Sequence, residues 1–253
     1  MPSENKIFKD IDFSWIGAKI VEQKIFALSE KEVDEIDAID LHTNGFEKIP
    51  SWLKRFNNLE SLNLRSNHIK KLEGLENMTK LRYLYVEDNQ INKIECLDKL
   101  KNLHSLRFGE SFHFYSGNMI HKIENLESLT ELRVLELANN KIQKIEGLDL
   151  LKNLECLDLS YNKIEVIEGL EELANLKILN LTNNKIQHLD FKVIPTLEEL
   201  GLEGNPIRMI SGYHALKKIE TLYIDLDTCN QPTQKTFRKY FGRYGLEYYS
   251  KVK

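Results

Sequence analysis

The side chains that most often catalyse reactions or bind metals are sparse in this chain and widely separated. Histidine occurs seven times, at His42, His68, His104, His113, His121, His188 and His214. No histidines have H-x-x-x-H spacing and no cysteines have C-x-x-C spacing, the arrangements that bring metal ligands to one point. The sequence therefore predicts no metal site and no bound cofactor.

Cysteine and glycine give no sign of an active site either. The three cysteines, Cys96, Cys156 and Cys229, are odd in number and far apart, which indicates reduced thiols rather than a disulfide framework. The sequence places no histidine beside Cys156, so we interpret it as a surface thiol rather than a nucleophile. No glycine-rich loop of the phosphate-binding type occurs. We therefore expect that the chain is not an enzyme.

Asparagine is the polar residue with the most informative spacing. It recurs at one place in the pattern L-x-x-L-x-L-x-x-N-x-I, as Asn44, Asn67, Asn89, Asn118, Asn140, Asn162, Asn184 and Asn205. The repeats begin at Ile36, Leu59, Leu81, Leu103, Leu132, Leu154, Leu176, Leu197 and Ile219. Successive starts are 21–23 residues apart, except for one interval of 29. Such regular spacing is the signature of a leucine-rich repeat.

The repeat predicts an α/β solenoid. The L-x-L segment alternates apolar and polar residues, which indicates a short strand with its leucines inward. Nine such strands would stack into a curved parallel ladder about 40 Å long, with the strands on the concave side. The pattern I-x-x-I-x-x-L-x-x-L on the other side predicts a short helical or irregular return rather than a second strand. The asparagines are expected to bond backbone groups between turns, not to perform chemistry.

The two ends of the stack need caps, since each repeat buries its apolar face only against a neighbour. We predict an N-terminal cap over residues 1–35, repeats over 36–226, and a capping helix with a tail over 227–253. Ser29 and Glu32 have capping-box spacing. The apolar residues expected to cover the first strand are Phe13, Trp15, Ile20, Val21, Ile25, Phe26 and Leu28. One face of the C-terminal helix is formed by Phe237, Tyr240, Phe241 and Tyr244.

The concave face is predicted to be acidic. Counting from the first residue of each repeat, positions two, three, five, seven and eight point outward. Leaving aside the interrupted turn of the fourth repeat, they carry thirteen acidic and five basic residues, whereas the whole chain has a formal charge of −4. Such a face repels phosphate backbones, which disfavours nucleic acid, and favours a protein partner with basic patches.

Position five lies at the middle of each strand and is expected to contribute most to binding. Tyr85 and Arg107 occupy it in neighbouring repeats, so a mixed aromatic and arginine patch is predicted there. The residues that we expect to contact a partner on the concave face are Tyr83, Tyr85, Arg107, Glu136, Asp158, Tyr161 and Tyr223. The 29-residue repeat adds a rim loop between Phe108 and Asn118, in which Phe112, Phe114 and Tyr115 either fold back onto the stack or grip a partner.

The compartment is predicted from what the sequence lacks. Residues 1–12 are polar and have no apolar run of the secretory type, and no segment approaches the length of a membrane span. We therefore expect a cytoplasmic or nuclear protein without membrane contact, monomeric before it forms a complex.

Residues 132–152 and 154–174 resemble the 22-residue leucine-rich repeats of the regulatory subunit of protein phosphatase 1, including the return I-x-x-I-E-G-L. The run P-T-x-x-x-F-R-K-Y-F at 232–241 resembles the capping motif of intracellular arrays. The resemblance implies a regulatory subunit that binds a Ser/Thr phosphatase catalytic domain through its concave face, where Glu136, Asp158 and Tyr223 match the family's residue types. The alternative is a structural adaptor of the cytoskeleton, the axoneme or the splicing machinery.

Overall fold

The computed structural model describes residues 10–110, 117–193, 197–213, 219–244 and 247–249. Within these residues the chain forms one parallel sheet of eleven strands, nearly all three residues long. In spatial order the strands are β1 Asp10–Asp12, β2 Ala38–Asp40, β3 Ser61–Asn63, β4 Tyr83–Tyr85, β5 Ser105–Gly109, β6 Val134–Leu137, β7 Cys156–Asp158, β8 Ile178–Asn180, β10 Glu199–Gly201, β12 Thr221–Tyr223 and β13 Glu247–Tyr249. The predicted solenoid of leucine-rich repeats is confirmed.

The strands stack in the register that the repeat predicts. Leu84 of β4 pairs with Leu106 of β5, and Tyr85 pairs with Arg107. The central residue of every repeat strand is a buried leucine or isoleucine, while position five points to the concave face. One continuous hydrophobic core therefore runs along the stack, and the residues at each outward position form a row across it.

The asparagines bond the backbone of successive turns, as predicted. Asn162 Nδ2 donates to the carbonyls of Leu159 and Ser160 in its own turn and of Leu137 in the preceding turn, at 2.9–3.1 Å. Its Oδ1 accepts from the amide N–H of Ile142 at 2.9 Å. The same arrangement recurs along the stack, so each buried asparagine ties one turn to the last.

The returns are mostly irregular, but the expectation that they contain no strand is wrong at two repeats. There, β9 His188–Asp190 and β11 Met209–Ser211 pair in parallel as a separate two-stranded sheet. In each strand the central residue, Leu189 or Ile210, is buried between more exposed neighbours. This alternation is typical of a strand, and the two segments are held side by side by the stack. Short 3₁₀ turns occur at Ser51–Arg55, Phe191–Val193 and Leu226–Thr228.

The N-terminal segment adds an extra turn to the stack. Strand β1 pairs with β2 and is followed by α1 Ala18–Phe26 and α2 Glu30–Glu35. The capping box predicted at Ser29 and Glu32 is confirmed, because Ser29 Oγ accepts from the Glu32 amide and the Glu32 carboxylate accepts from the Ser29 amide. These two helices and β1 cover the first repeat.

Only part of the predicted N-terminal apolar cover is buried. Phe13, Val21 and Ile25 lie in the core and Leu28 packs partly against it. The expectation is wrong for Trp15, Ile20 and Phe26, which are exposed. On α1 the reason is geometric, since Val21 and Ile25 share the face that meets the core and Ile20 and Phe26 point elsewhere.

The C-terminal helix α3 spans Gln231–Tyr244 and lies where a capping helix is predicted. Phe237 is fully buried, and the ring of Tyr240 stacks on Tyr213 with centroids 4.9 Å apart. The side chains of Phe241 and Tyr244 lie outside what the structure describes. Strand β13, which the sequence pattern does not predict, then pairs with β12. The boundaries at residues 35/36 and 226/227 stay a prediction.

Candidate functional site: the concave face

Position five forms a continuous row across the sheet. In register from β2 to β12 it carries Asp40, Asn63, Tyr85, Arg107, Glu136, Asp158, Asn180, Gly201 and Tyr223. Strand β1 extends the row with Asp12, which pairs with Asp40. Neighbouring members belong to hydrogen-bonded strands, about 4.8 Å apart. Side chains from turns 21–29 residues apart in sequence are therefore neighbours on the sheet.

The aromatic and arginine patch lies at the middle of this row. Arg107 Cζ is 5.4 Å from the centre of the Tyr85 ring, and Arg107 Nη1 is 3.4 Å from a carboxylate oxygen of Glu136. At position two, Arg82 lies over Tyr83 with Cζ 5.7 Å from the ring centre. The predicted adjacency of Tyr85 and Arg107 is confirmed. A guanidinium held between an aromatic ring and a carboxylate is rigid and leaves the ring half-exposed.

The five basic residues of the face are all engaged with acidic ones. Each lies within 4 Å of a carboxylate, in the pairs Arg65–Glu110, Arg82–Glu60, Arg107–Glu136, Arg133–Glu155 and Lys177–Glu155. The excess of acid therefore remains on the other residues, chiefly towards the two ends of the sheet. The C-terminal end carries Asp158, Glu198, Glu199, Glu203, Glu220 and Asp225.

Two glutamates near the patch are unusually hard to ionise. Burial raises the pKa of Glu87 from 4.5 to about 7, against the opposing pull of Arg107 and Arg65. Burial likewise raises the pKa of Glu136 to about 7, although Arg107 is its ion-pair partner. Glu87 is only 3% exposed, and its Oε2 has no hydrogen-bond partner among the residues that the structure describes. Desolvation outweighs the nearby arginines at both carboxyls.

An ion pair joins the two repeats on either side of Glu87. Glu110, at the start of the rim loop, pairs with Arg65 at 2.9 Å. These residues belong to the fourth and second repeats, and Glu87 lies on the third, between them. Asn139 Nδ2 also donates to the carbonyl of Glu110 at 2.7 Å. Glu110, the second residue of the rim loop, thus reaches back over the third repeat, while Phe112, Phe114 and Tyr115 lie outside the described residues.

Replacing Glu87 with glutamine is expected to change how stability depends on pH. A carboxyl with a raised pKa holds its proton in the folded state, so stability is greatest below the ordinary pKa and falls as pH rises towards the folded value. For the wild type we expect a loss of roughly 1–3 kcal/mol in unfolding free energy between about pH 5 and about pH 8. Glu87→Gln should reduce that loss, measured by urea unfolding.

The matched control is Glu198→Gln, which removes a carboxylate from an exposed position of the same face. It tests whether loss of any acidic charge has the same effect. An unfolding free energy whose pH dependence is identical in Glu87→Gln and in the wild type contradicts the assignment.

The acidic and amide residues at position five also shape the turn that follows. Asp158 Oδ1 accepts from the amide of Ser160 at 2.9 Å, and Asp40 Oδ1 accepts from that of His42 at 3.0 Å. Asp158 is nearly buried and also receives a long bond from Asn180 Nδ2 at 3.4 Å. Part of its hydrogen-bonding capacity therefore serves the fold. Asp158 is thus less available to a partner than the sequence pattern suggests.

The remaining predicted contact residues lie towards the C-terminal end. Tyr161 is half-buried at position eight, with a left-handed φ of 54°. Tyr223 is half-buried on β12, at position five of the last repeat, and lies next to Gly201 of β10. A Cβ at Gly201 would lie 2.7 Å from Asn180 Oδ1, so the space beside Tyr223 is partly filled by an amide. Tyr161 and Tyr223 are separate from the patch at Tyr85.

Sequence reasoning missed one exposed aromatic residue next to the position-five row, Trp15. It was expected to cover the first strand, but it is 72% exposed on the turn after β1. The register could have shown this, since Asp12 aligns with position five and Trp15 then falls at position eight. The D-I-D segment at Asp10–Asp12 lacks the leucines of the repeat, so the sequence did not identify it as a further strand of the stack.

The described part of the chain contains neither a metal-ligand cluster nor a membrane-spanning helix. It holds no group of three or more His, Cys, Asp or Glu residues able to bind a metal ion. Among these same residues, no helix combines the length and apolar character required to cross a bilayer. Burial raises the pKa of the Cys156 thiol to about 12, which keeps it protonated and unreactive.

Comparison with known proteins gives matching results at three levels. The family model for leucine-rich repeats in two copies matches residues 57–102 and 152–191. The protein phosphatase 1 regulatory subunit SDS22 of Schizosaccharomyces pombe is 43% identical over 72 residues, which cover 28% of this chain and 21% of the relative. A protein phosphatase 1 regulatory inhibitor subunit PPP1R7 homolog of Arabidopsis thaliana is 29% identical over 110 residues, or 43% of this chain and 31% of that protein.

Similar solved structures extend over more of the chain. A leucine-rich-repeat protein of Leptospira interrogans has a TM-score of 0.68 at 23% identity, covering 86% of this chain and 62% of that one. An internalin of Listeria monocytogenes has a TM-score of 0.67 at 19% identity, covering 92% and 88%. At these identities the likeness shows the fold alone. The chain is a leucine-rich-repeat solenoid, and part of its repeat array is similar in sequence to regulatory subunits of protein phosphatase 1.

Proposed function

We propose that the chain is a non-catalytic scaffold that binds a protein phosphatase 1-type catalytic domain through its concave face. The main support is the row of position-five side chains, in which Tyr85, Arg107 and Glu136 lie on adjacent strands in direct contact. Such a row is rigid before binding, so little side-chain entropy is lost when a partner docks. The names of the two curated relatives suggest the partner.

The chemistry of the face favours a protein with basic patches. Its arginines are held by carboxylates, so the acidic excess at both ends of the sheet is what an approaching partner meets. Complementary charge speeds association and orients the partner, while half-exposed tyrosines supply the contact area typical of hot spots. Tyr85 and Tyr223 anchor the two ends of the proposed contact.

A scaffold without catalysis is the interpretation that this chemistry favours. The one thiol on the concave face, Cys156, has a raised pKa, and the proton-holding carboxyls Glu87 and Glu136 lie beside arginines rather than in a cleft beside a nucleophile. General acid-base chemistry needs a positioned reactive group as well as a suitable pKa. The same residues are well suited to recognition.

Removing both anchor tyrosines is the direct test. We expect Tyr85→Ala combined with Tyr223→Ala to weaken binding to the purified phosphatase 1 catalytic subunit by roughly thirtyfold or more, measured by isothermal titration calorimetry. Both rings are half-buried at the face, so their loss removes contact area without leaving a charge unpaired in the interior.

The matched control is Met209→Ala, which truncates an exposed side chain on β11, away from the concave face. It should bind as the wild type does. Equal affinity of the double variant and the wild type contradicts the proposed contact residues. Wild-type protein that fails to bind the catalytic subunit contradicts the phosphatase assignment and leaves the adaptor alternative.

A further inference from the structure

The N-terminal end of the concave face carries an exposed indole with a fixed backbone. Trp15 is 72% exposed, yet its amide donates to the carbonyl of His42 at 3.2 Å. Its ring meets the His42 ring edge to face, with centroids 5.7 Å apart. The residues that follow are tied to the first repeat, since Asn44 Oδ1 accepts from the Gly17 amide at 2.7 Å. The indole is therefore presented at a defined place.

Trp15 does not suit its backbone conformation. Its φ is 63°, in the left-handed region that bulky side chains avoid. The solenoid imposes that conformation at position eight of most turns, and there the sequence mostly uses short polar residues: Thr43, Ser66, Asp88, Asn139 and Asn183. A tryptophan at this place improves neither the turn nor the core. What it adds is an exposed aromatic ring at the protein surface.

Carboxylates lie at the same end of the sheet as the indole. Asp12 lies three residues before Trp15 and pairs in register with Asp40 of β2. Hydrogen bonds from Ser14 hold the pKa of Asp12 below its usual value, so it stays ionised, and the nearby His42 favours the charged form further. Asp40 Oδ1 lies 2.8 Å from His42 Nδ1, which fixes the imidazole against the indole. Asp10 and Asp37 add negative charge at the same end.

We propose that Trp15, Asp12 and Asp40 form a docking point for an arginine or lysine side chain of a protein partner. The indole face attracts a cation and covers its aliphatic stem, while the two carboxylates supply the opposite charge. A single open ring lacks the several walls of a cage for a quaternary ammonium ligand, and the acidic surroundings repel phosphates.

This docking point goes beyond the phosphatase proposal and does not depend on it. Strand β1 lies three strands from β4, which carries Tyr85, or roughly 14 Å along the sheet. A basic segment held at Trp15 would fix the orientation of whatever protein lies on the central patch. Binding at Trp15 can also be measured with a short peptide in place of a folded partner.

The experiment titrates the ¹⁵N-labelled protein with an acetylated peptide of alternating glycine and arginine, and compares a peptide with citrulline at each arginine. The indole N–H signals of Trp15 and of the buried Trp52 are followed by NMR, with Trp15→Phe to assign them. We expect the Trp15 signal to shift in a saturable way with the arginine peptide, and the Trp52 signal to stay in place. Citrulline keeps the shape and loses the charge, so it should not bind.

Two variants and a control complete the test. Trp15→Ala and Asp12→Asn should each raise the Kd for the arginine peptide at least about fivefold, measured by calorimetry. Phe26→Ala removes another exposed aromatic ring, on α1, and should leave the Kd unchanged. An unmoved Trp52 signal shows that a variant is folded. The proposal is overturned by a Trp15 signal that does not respond, by equal affinity for the citrulline peptide, or by wild-type affinity in Trp15→Ala.

Discussion

Asn162→Ala is expected to lower the free energy of unfolding by about 2–4 kcal/mol, because the side chain is buried and bonds the backbone of two turns. The carbonyls of Leu137 and Leu159 that it bonds also accept from Asn140 and Asn184, so they keep one donor each. The amide of Ile142 loses its acceptor and is left buried without a hydrogen bond. An unsatisfied amide and a cavity between two turns account for the expected loss, which urea unfolding would measure.

Asn175→Ala is the matched control for this effect. Asn175 Nδ2 also donates to a carbonyl of the preceding turn, Lys152 O at 2.8 Å, but at an exposed site where water can replace it. We expect a loss below about 1 kcal/mol. Similar losses at Asn162 and Asn175 would show that burial does not set the contribution of these asparagines.

Gly117→Ala is expected to destabilise the protein by about 2–4 kcal/mol through a backbone collision. A Cβ on Gly117 would lie 1.6 Å from the carbonyl oxygen of Asn139 in the next turn. At the other end of the insertion, a Cβ on Gly109 would lie 1.8 Å from Ala138 O. Neither obstacle is a flexible side chain, so the turn carrying the rim loop has to move away from its neighbour.

Gly45→Ala separates this collision from the general effect of replacing glycine. Gly45 has a φ of 75° but no atom within 4 Å of an added Cβ, so only left-handed strain remains, at roughly 1 kcal/mol. Both variants are compared by urea unfolding. If Gly117→Ala proves no worse than Gly45→Ala, the close approach of Gly117 to the fifth repeat is contradicted.

These predictions bear on recognition because the same turns hold the concave face. Glu110 follows Gly109 directly and pairs with Arg65 across Glu87. A shift of the loop would therefore open this contact and expose a carboxyl whose raised pKa depends on burial. The pH dependence of stability in Gly117→Ala should then become shallower.

Much of the candidate site follows from the repeat alone. A fixed period in a parallel stack places equal positions side by side, so contact between Tyr85 and Arg107 follows from the sequence alone. The burial and the hydrogen bonds of each side chain could not be predicted in this way. Asp158 and Glu198 both occupy outward positions, yet Asp158 is buried and bonded to its own turn while Glu198 is exposed. Their surroundings come from neighbouring turns whose residues differ.

By itself, the sequence determined the fold, the strands of the repeats, the asparagine bonding and the acidic character of one face. All of these depend on periodicity, and each turn repeats the same local physics. Only the tertiary structure decided the strands β1 and β13, the exposure of Trp15 and the burial of Glu87. These features arise where the period is broken, at the ends and at the 29-residue repeat. There, contacts between segments distant in sequence set burial and charge.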